Sequence, residues 1–297
     1  MPTNLDPAVQ RRRLMVALRE LRMDKSLTQM QVAEALEWSH SKIVRIENGD
    51  VGISIVDLRA LAELYGVTDK RQVDELLNMA RQSRQQRFAA YIDLLGKEFS
   101  RYLGYEVSAS FLRQYEPSIV PGLLQTEDYM YATARTFNPH ESDETINRRV
   151  AARIERQKLL SREQFPEMHF ILDEAVLRRH VGAESGNDRL MLGQIDYLKE
   201  VAARPRINIR VIRFSAGAHQ GMRGPFLLLE FPDPKDDALL YMENSRGDLT
   251  TREDAAEITS YMEAFFAMEK AATHPDEFAA VADGILADML GGGSVNA

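Results

Sequence analysis

Cysteine is absent from this chain of 297 residues. Its absence excludes a disulfide framework, cysteine-ligated zinc or iron–sulfur clusters and a thiol nucleophile, and it fits the reducing conditions of the cytosol. Long apolar runs are also lacking, because no stretch approaches the roughly 18–20 residues that a membrane-spanning helix needs. Residues 1–14 contain no apolar segment ahead of a small-residue cleavage site, so a secretory signal is not expected. We therefore expect a cytoplasmic protein that does not bind membranes.

Sequence motifs of the common enzyme classes are missing too. The six histidines form no HExxH motif and no pair at metal-ligand spacing, and the chain has no GxSxG, P-loop or GxGxxG sequence. Asp173 and Glu174 are a candidate acid/base pair, but adjacent residues of a strand point to opposite faces of the sheet. We therefore expect no enzymatic activity, no cofactor and no metal.

Positive charge is outnumbered by negative charge and is unevenly placed along the chain. The net charge is −8, which by itself argues against a nucleic-acid-binding protein. Residues 1–90, however, hold 14 Lys and Arg against 12 Asp and Glu, a balance of +2, whereas residues 91–297 hold 23 against 33, a balance of −10. An acidic second part of the chain limits non-specific binding to phosphates, while the mildly basic N-terminal part keeps a local contact surface. Because a difference of this size also occurs as ordinary variation, charge alone decides little.

The chain has the composition of a globular protein, with 44% apolar and 28% charged residues, and its length corresponds to about two domains. In the first part, apolar residues recur at helical spacing in four short segments. The second segment begins at Thr28, which forms a capping-box pattern with Gln31, and the third and fourth begin at Ser39 and Ser54. Four helices are therefore predicted in about 50 residues.

The remainder of the chain mixes strands and helices. Strands are predicted at 169–177, 207–214, 224–231 and 238–244, and helices at 126–136, 143–161, 186–203, 251–272 and 275–290. The strands between 207 and 244 are joined by short turns, which favours antiparallel pairing. The predicted fold class is α+β, with an all-α N-terminal bundle of about five helices and a larger domain of antiparallel or mixed sheet with flanking helices.

The segment LTQMQVAEALEWSHSKIVRIENG, residues 27–49, holds the most informative pattern. Two short helices joined by a tight turn need a small residue where they cross, and Ala33 provides it. The exposed face of the second helix is rich in hydrogen-bond donors, and a helix of this size fits the major groove of B-DNA. Candidate DNA-binding residues are Gln29, Ser39, His40, Ser41, Lys42, Arg45 and Asn48. The alternative interpretation of the segment is an ordinary helical hairpin.

Together with the helix at 58–67, this segment resembles the repressor/Cro-type (XRE family) helix-turn-helix regulators over residues 14–68. The resemblance implies that 39–48 is the recognition helix. It places Gln29, Ser41, Lys42 and Arg45 at positions that usually face DNA, and Asn48 at a phosphate-contacting position.

Two further residues of this segment have structural expectations. The resemblance implies that Glu47 pairs with Arg19 or Arg22 of the first helix. The family often has glycine in the turn, whereas this chain has Glu37-Trp38. Either this turn avoids a positive φ, or Glu37 is strained.

Several later stretches resemble the long C-terminal domain that follows such helix-turn-helix domains in actinomycete regulators. These stretches are residues 115–135, 148–157, 171–182, 206–231 and 241–247. The resemblance implies a regulatory, antitoxin-like protein that is often partnered by a small companion protein. The resemblance implies no functional residues within this domain.

The predicted domains are a helix-turn-helix DNA-binding domain at 1–75, a helical linker at 76–104, a regulatory and oligomerisation domain at 105–290 and a flexible tail at 291–297. The polar segment 81–87 of the linker is expected to bridge two domains in solvent. The predicted function is a sequence-specific transcriptional regulator that binds a double-stranded DNA operator as a homodimer. An antitoxin-like adaptor, which mainly binds a small partner protein, is the alternative.

Three further features have two interpretations each. The segment 215–224, with His219, Gln220 and Arg223, either covers a pocket for a small molecule or peptide, or is a flexible hairpin connection. The apolar stripe of the last helix is either intramolecular core or a groove for a partner. The basic residues 11–13 either contact phosphate or begin a solvated helix.

Overall fold

The computed structural model describes residues 6–49, 51–83, 89–162, 165–183, 189–233, 236–243, 249–252 and 254–291. Its chain divides into two compact units. The first unit is Met1–Ala89 with Ser100–Ser108, and the second is Ala90–Phe99 with Ala109–Ala297. Most of the predicted polar bridge, 84–87, and most of the predicted tail, 292–297, lie outside the described residues.

The first unit is helical, as predicted. Its helices are α1 (Pro7–Asp24), α2 (Gln29–Ala35), α3 (His40–Glu47), α4 (Ile55–Leu64) and α5 (Lys70–Gln82). The hydroxyl groups of Thr28, Ser39 and Ser54 each accept a backbone N–H three residues later, which confirms the three predicted helix starts. At Thr28 the capping box with Gln31 is complete.

These helices enclose one apolar core, in which α1 packs against α5 and α2 packs against α3. Val32, Ala33, Ile43 and Ile46 are buried between α2 and α3, so the small residue predicted at the crossing lies there. Burying a side chain such as Ile43 stabilises the fold by about 1.5–3 kcal/mol. The packing therefore fixes which face of α3 is left for solvent.

A sixth helix, α6 (Ile92–Ser108), is interrupted at Gly96, where φ is +70° and the backbone is not helical. Its last part, Ser100–Ser108, belongs to the first unit. There Gly104 approaches α1 so closely that an added Cβ would lie 2.5 Å from the Cβ of Ala8. The backbone N–H of Asp6 also donates to the hydroxyl of Ser108 over 3.1 Å. Residues 100–108 therefore complete the first unit.

The second unit contains a six-stranded mixed sheet in the order β3-β2-β1-β4-β5-β6. The strands are β1 (Phe111–Glu116), β2 (Glu167–Asp173), β3 (Ile207–Ile212), β4 (Phe226–Glu230), β5 (Leu239–Glu243) and β6 (Leu249–Arg252). β1, β2 and β3 are parallel, whereas β4, β5 and β6 follow with antiparallel pairing. The predicted α+β class and the mixed sheet are confirmed.

The helices of the second unit are α7 (Glu127–Phe137), α8 (Asp143–Gln157), α9 (Glu174–Arg178), α10 (Leu190–Ala202), α11 (Ala255–Ala271) and α12 (Phe278–Gly291). Phe265 and Met268 of α11 share an apolar core with Tyr115 and Ile171 of the sheet. α10 and α12 both pack against β3. Phe278, Ala282 and Ile285 are buried, so this part of the apolar stripe of the last helix is intramolecular core, whereas Val281, Leu286 and Met289 are partly exposed.

Three predictions about the sheet are wrong in part. The predicted strand 169–177 ends at Asp173, because the Asp173 carboxylate accepts the N–H of Ala175 over 2.9 Å and begins α9. β3 pairs with β2 in parallel rather than with β4. Segment 215–224 is consequently not a hairpin connection, since β2 and β1 lie between the two strands that it joins. The strands at 111–116 and 249–252 were not predicted.

Among the residues that the structure describes, no helix is both long and apolar enough to cross a membrane.

Candidate nucleic-acid interface

The outward face of α3 is a continuous polar surface. Ile43 and Ile46 point into the core, whereas Ser39, His40, Ser41, Arg45 and Asn48 are exposed. Five of the seven predicted DNA-binding residues therefore lie on one accessible surface, and the other two, Gln29 and Lys42, are partly buried beside it.

A buried ion pair holds α3 against α1. The side chain of Glu47 is 3% exposed, and its Oε1 accepts from Arg22 Nε over 2.6 Å, while its Oε2 accepts from Arg22 Nη2 over 3.0 Å. Hydrogen bonding to the Glu47 carboxylate raises the pKa of Arg22 above its ordinary value. Arg19 Nη2 donates to the Glu47 carbonyl over 3.2 Å. The carboxylate thus pairs with Arg22, and Arg19 binds the backbone of the same residue.

Gln29 belongs to the same network. Its Nε2 donates to Glu47 Oε2 over 2.9 Å, so one of its two amide protons is used inside the protein. The second amide proton and Oε1 are the groups that remain for a ligand. The sequence pattern predicts only a DNA contact for Gln29 and gives no indication of this bond. It joins the first residue of α2 to the last residue of α3.

Lys42 is engaged as well. Its Nζ lies 2.9 Å from Asp57 Oδ1 and 3.6 Å from the centroid of the Trp38 ring. The ammonium group is therefore held between a carboxylate on α4 and an aromatic ring in the turn before α3. The spacing Trp38–Lys42 could have indicated the ring contact, but nothing local in the sequence brings Asp57 to the same place.

The remaining candidates are presented by the two ends of α3. Ser39 is the N-cap, and its Oγ lies 3.2 Å from Ser41 Oγ. His40 is the first helical residue and Asn48 is the C-cap. Within the described part of the chain, Arg45 has no ion-pair or hydrogen-bond partner, so its guanidinium group keeps all its donors for a ligand.

The turn between α2 and α3 uses a left-handed residue. Glu37 has φ of +55°, which resolves the two alternatives in favour of a strained residue at this position. Its side chain is exposed. The backbone N–H of Trp38 donates to the Ala33 carbonyl over 2.8 Å and closes the end of α2.

The basic residues 11–13 are not the solvated start of a helix. Arg12 is 5% exposed, and Arg11 Nη2 donates to the Ser83 carbonyl over 2.9 Å. Burial and the nearby charge of Arg101 lower the pKa of Arg11 from its ordinary value. Arg11 and Arg12 therefore take part in the packing of the first unit.

In the second unit, polar groups meet where β1 and β2 end. The His219 side chain is 7% exposed, and its Nε2 lies 3.5 Å from Asp173 Oδ2. Its ring contacts the Tyr115 ring edge to face, with centroids 5.8 Å apart. Within the described residues, Tyr115 Oη and His219 Nδ1 are buried without a hydrogen-bond partner. Burial, together with Asp173 and Glu116, raises the pKa of Tyr115.

No group of three or more His, Asp or Glu side chains in the described ranges is arranged to hold a metal ion.

Comparison with known proteins finds two family models that match successive parts of the chain. Residues 13–76 match the family model of a helix-turn-helix domain, and residues 99–281 match that of a domain of unknown function, DUF5753. Neither the curated proteins nor the solved structures give a match. The first match supports a helix-turn-helix DNA-binding regulator. Since the second covers more than half of the 297 residues, the protein belongs to the DUF5753 family, with a helix-turn-helix domain preceding the shared domain.

Proposed function

We propose that this protein is a sequence-specific transcriptional regulator of the repressor/Cro (XRE) type, which acts in the cytoplasm and has no enzymatic activity. The exposed polar face of α3 is the observation that carries the proposal. Arg45, His40 and Ser41 present donors and acceptors to the base edges of a major groove. Ser39 and Asn48, at the ends of the helix, contact the flanking phosphates.

The network around Glu47 supports this arrangement. A recognition helix must keep its angle to the rest of the domain, because base contacts require positions within about 0.5 Å. Arg22 and Gln29 tie the end of α3 to α1 and α2 through one carboxylate. The face is therefore organised before any DNA arrives, which lowers the entropic cost of binding.

We further propose that the regulator binds as a homodimer. One helix-turn-helix domain contacts about four or five base pairs, and two-fold pairing on an inverted repeat multiplies the affinity. The acidic second unit supplies the dimer contacts in this proposal and disfavours non-specific contact with DNA.

The test is selection of double-stranded DNA from a random pool by the full chain, followed by footprinting across a salt series. We expect enrichment of an inverted repeat with half-sites about one helical turn apart, and binding that weakens steeply with salt. Sedimentation equilibrium measures the dimer independently. A pool without enrichment would contradict the proposal. Co-purification of residues 91–297 with a small protein encoded beside the gene would then favour the adaptor alternative.

Sensing of a small molecule by the second unit is a second proposed function, carried by the buried groups of Tyr115 and His219. A buried polar atom without a partner costs about 1–3 kcal/mol, and the contacting rings of Tyr115 and His219 carry one such atom each. The segment 215–224 covers them, with Gly221 against the Tyr115 ring. Ligands of parallel sheets commonly bind at the carboxyl ends of strands, and β1 and β2 end there.

The matching ligand chemistry is an uncharged molecule with a hydroxyl group. With Nε2–H directed to Asp173, His219 Nδ1 accepts a hydrogen bond, and the Tyr115 hydroxyl donates one. Phenol offers both complementary groups, whereas toluene offers neither. We expect phenol at millimolar concentration to raise the melting temperature of the full chain, and to do so less in the His219→Ala variant. Equal effects of phenol and toluene, or none from either, would exclude this site and leave water as the partner of the buried groups.

A further inference from the structure

The contact between Lys42 and Asp57 supports a further inference, which rests on the proposed DNA-binding function. The side chains of the two residues are 35% and 27% exposed, so the pair is only partly open to water. The Trp38 ring covers the ammonium group on another side, at 3.6 Å. Lys42 is therefore directed by two residues that lie outside its own helix.

The backbone of Asp57 is held in place independently of Lys42. Asp57 lies in the first turn of α4, and its backbone N–H donates to the N-cap Ser54 Oγ over 2.9 Å. A carboxylate is favourable at this end of a helix, because the unpaired N–H groups there carry partial positive charge. The negative charge consequently stays beside the recognition helix whether or not Lys42 moves away.

This placement affects the two modes of DNA binding differently. Non-specific binding depends almost wholly on cations near phosphates, and each neutralised phosphate adds about 0.9 to the slope of log affinity against log salt. Lys42 contributes little to that attraction while it is paired, and the Asp57 carboxylate repels phosphates. In a specific complex, base contacts hold α3 in one register on the DNA. A lysine whose direction is fixed can then reach a hydrogen-bond acceptor of the DNA in that register.

We propose that Asp57 is a specificity-determining residue of the DNA interface. Its carboxylate restrains Lys42 from non-specific phosphate contacts and directs it towards the acceptor that the specific site presents. Asp57 itself acts by positioning and by charge, without touching a base.

The experiment compares the wild-type full chain with the D57N and E63Q variants. Both substitutions remove one negative charge from α4 and keep the size of the side chain. Glu63, however, is exposed near the other end of the helix. Affinity is measured for a random-sequence duplex and for the duplex selected by the wild type, each across a salt series. The double variant K42Q/D57N tests whether the effect passes through Lys42.

We expect D57N to bind the random duplex about three- to tenfold more tightly than the wild type, with a salt slope steeper by about 1. Affinity for the selected duplex should change less, so the ratio of specific to non-specific affinity falls. E63Q should leave this ratio unchanged, and K42Q should remove most of the D57N effect. A merely structural role of Asp57 would lower both affinities, which is the opposite of the expected gain.

The possible failures are distinguishable. If the wild type selects a sequence but D57N behaves like E63Q, or changes both affinities equally, the inference is overturned and the proposed function stands. If the wild type selects no sequence, the proposed function is overturned and the inference with it.

Discussion

The amide of Gln29 donates to Glu47 Oε2 over 2.9 Å, so the residue that begins α2 is bonded to the residue that ends α3. The two helices of the motif are therefore joined at two levels, by apolar packing at Ala33 and Ile43 and by this polar contact at the surface of the core. The same carboxylate also pairs with Arg22 of α1, so Glu47 ties α3 to both α1 and α2.

Replacement of Glu47 by alanine should destabilise the first unit by about 3 kcal/mol. The substitution leaves the Arg22 guanidinium and the Gln29 amide without their acceptor in a partly buried site. Urea unfolding followed by circular dichroism measures the change. Glu34→Ala, at an exposed position of α2, is the matched control and should stay within about 0.5 kcal/mol of the wild type. Equal midpoints for the two variants would contradict this account of the network.

Arg45→Ala should weaken binding to the selected operator by about 1–3 kcal/mol if the guanidinium makes a bidentate contact to guanine. Arg45→Lys retains the charge but not the planar pair of donors, so it should recover only part of the loss. Fluorescence anisotropy with labelled duplexes measures both. Arg59→Ala, which removes an exposed arginine of α4, serves as the control for charge. Unchanged operator affinity of Arg45→Ala would remove Arg45 from the interface.

Glu269 should make the second unit sensitive to acid. Its pKa lies below the ordinary value, chiefly because His169 Nδ1 is hydrogen-bonded to its carboxylate over 2.9 Å, with further help from Arg210 and Arg113. A carboxyl group whose pKa is lowered by folding stabilises the protein above its unfolded-state pKa of about 4.3. That contribution is lost as the pH falls through the lower, folded-state value.

Glu269→Gln should consequently unfold at a lower urea concentration than the wild type at pH 7, and the difference should shrink below about pH 4. Glu263→Gln, at an exposed position of the same helix, should show no such convergence. A difference between Glu269→Gln and wild type that is constant with pH would show that the carboxylate does not stabilise the fold through its charge.

Replacement by alanine should change the stability of the protein in opposite directions at two glycines. At Gly221 an added Cβ would lie 2.6 Å from the Tyr115 ring and 2.6 Å from Met268 Sδ, so Gly221→Ala should cost about 1–3 kcal/mol by overpacking. At Gly284 on α12 no heavy atom lies within 4 Å of the added Cβ. Gly284→Ala should therefore raise stability by about 0.5–1 kcal/mol. Thermal unfolding measures both, and a neutral Gly221→Ala would mean that segment 215–224 packs loosely.

Local signals made the starts of α2, α3 and α4 predictable. Thr28, Ser39 and Ser54 mark helix starts by their own hydrogen bonds, and those bonds are formed between residues three apart. The outward face of α3 followed from the periodicity of Ile43 and Ile46. The contact of Lys42 with Asp57 spans 15 residues and depends on how α4 packs, which no local pattern encodes.

The sheet was harder to predict, because strand neighbours are set by long-range packing. Segments at 207–212 and 226–230 are close in sequence, and nearness favoured a hairpin between them. In the fold, α7 and α8 connect β1 to β2, and α9 and α10 connect β2 to β3, so all three strands run parallel. The chain then crosses to the other side of β1, where β4 pairs with it.

The packing of residues 100–108 in the first unit affects how proteins of this family can exchange DNA-binding domains. The family match of the shared domain begins at residue 99, yet residues 100–108 pack as part of the first unit and carry buried Tyr102, Leu103 and Tyr105. A recombination event that replaced only the helix-turn-helix match would therefore leave the new DNA-binding domain to be completed by a helix inherited from the other gene. The first helix of the new domain would then have to accommodate the close approach of Gly104.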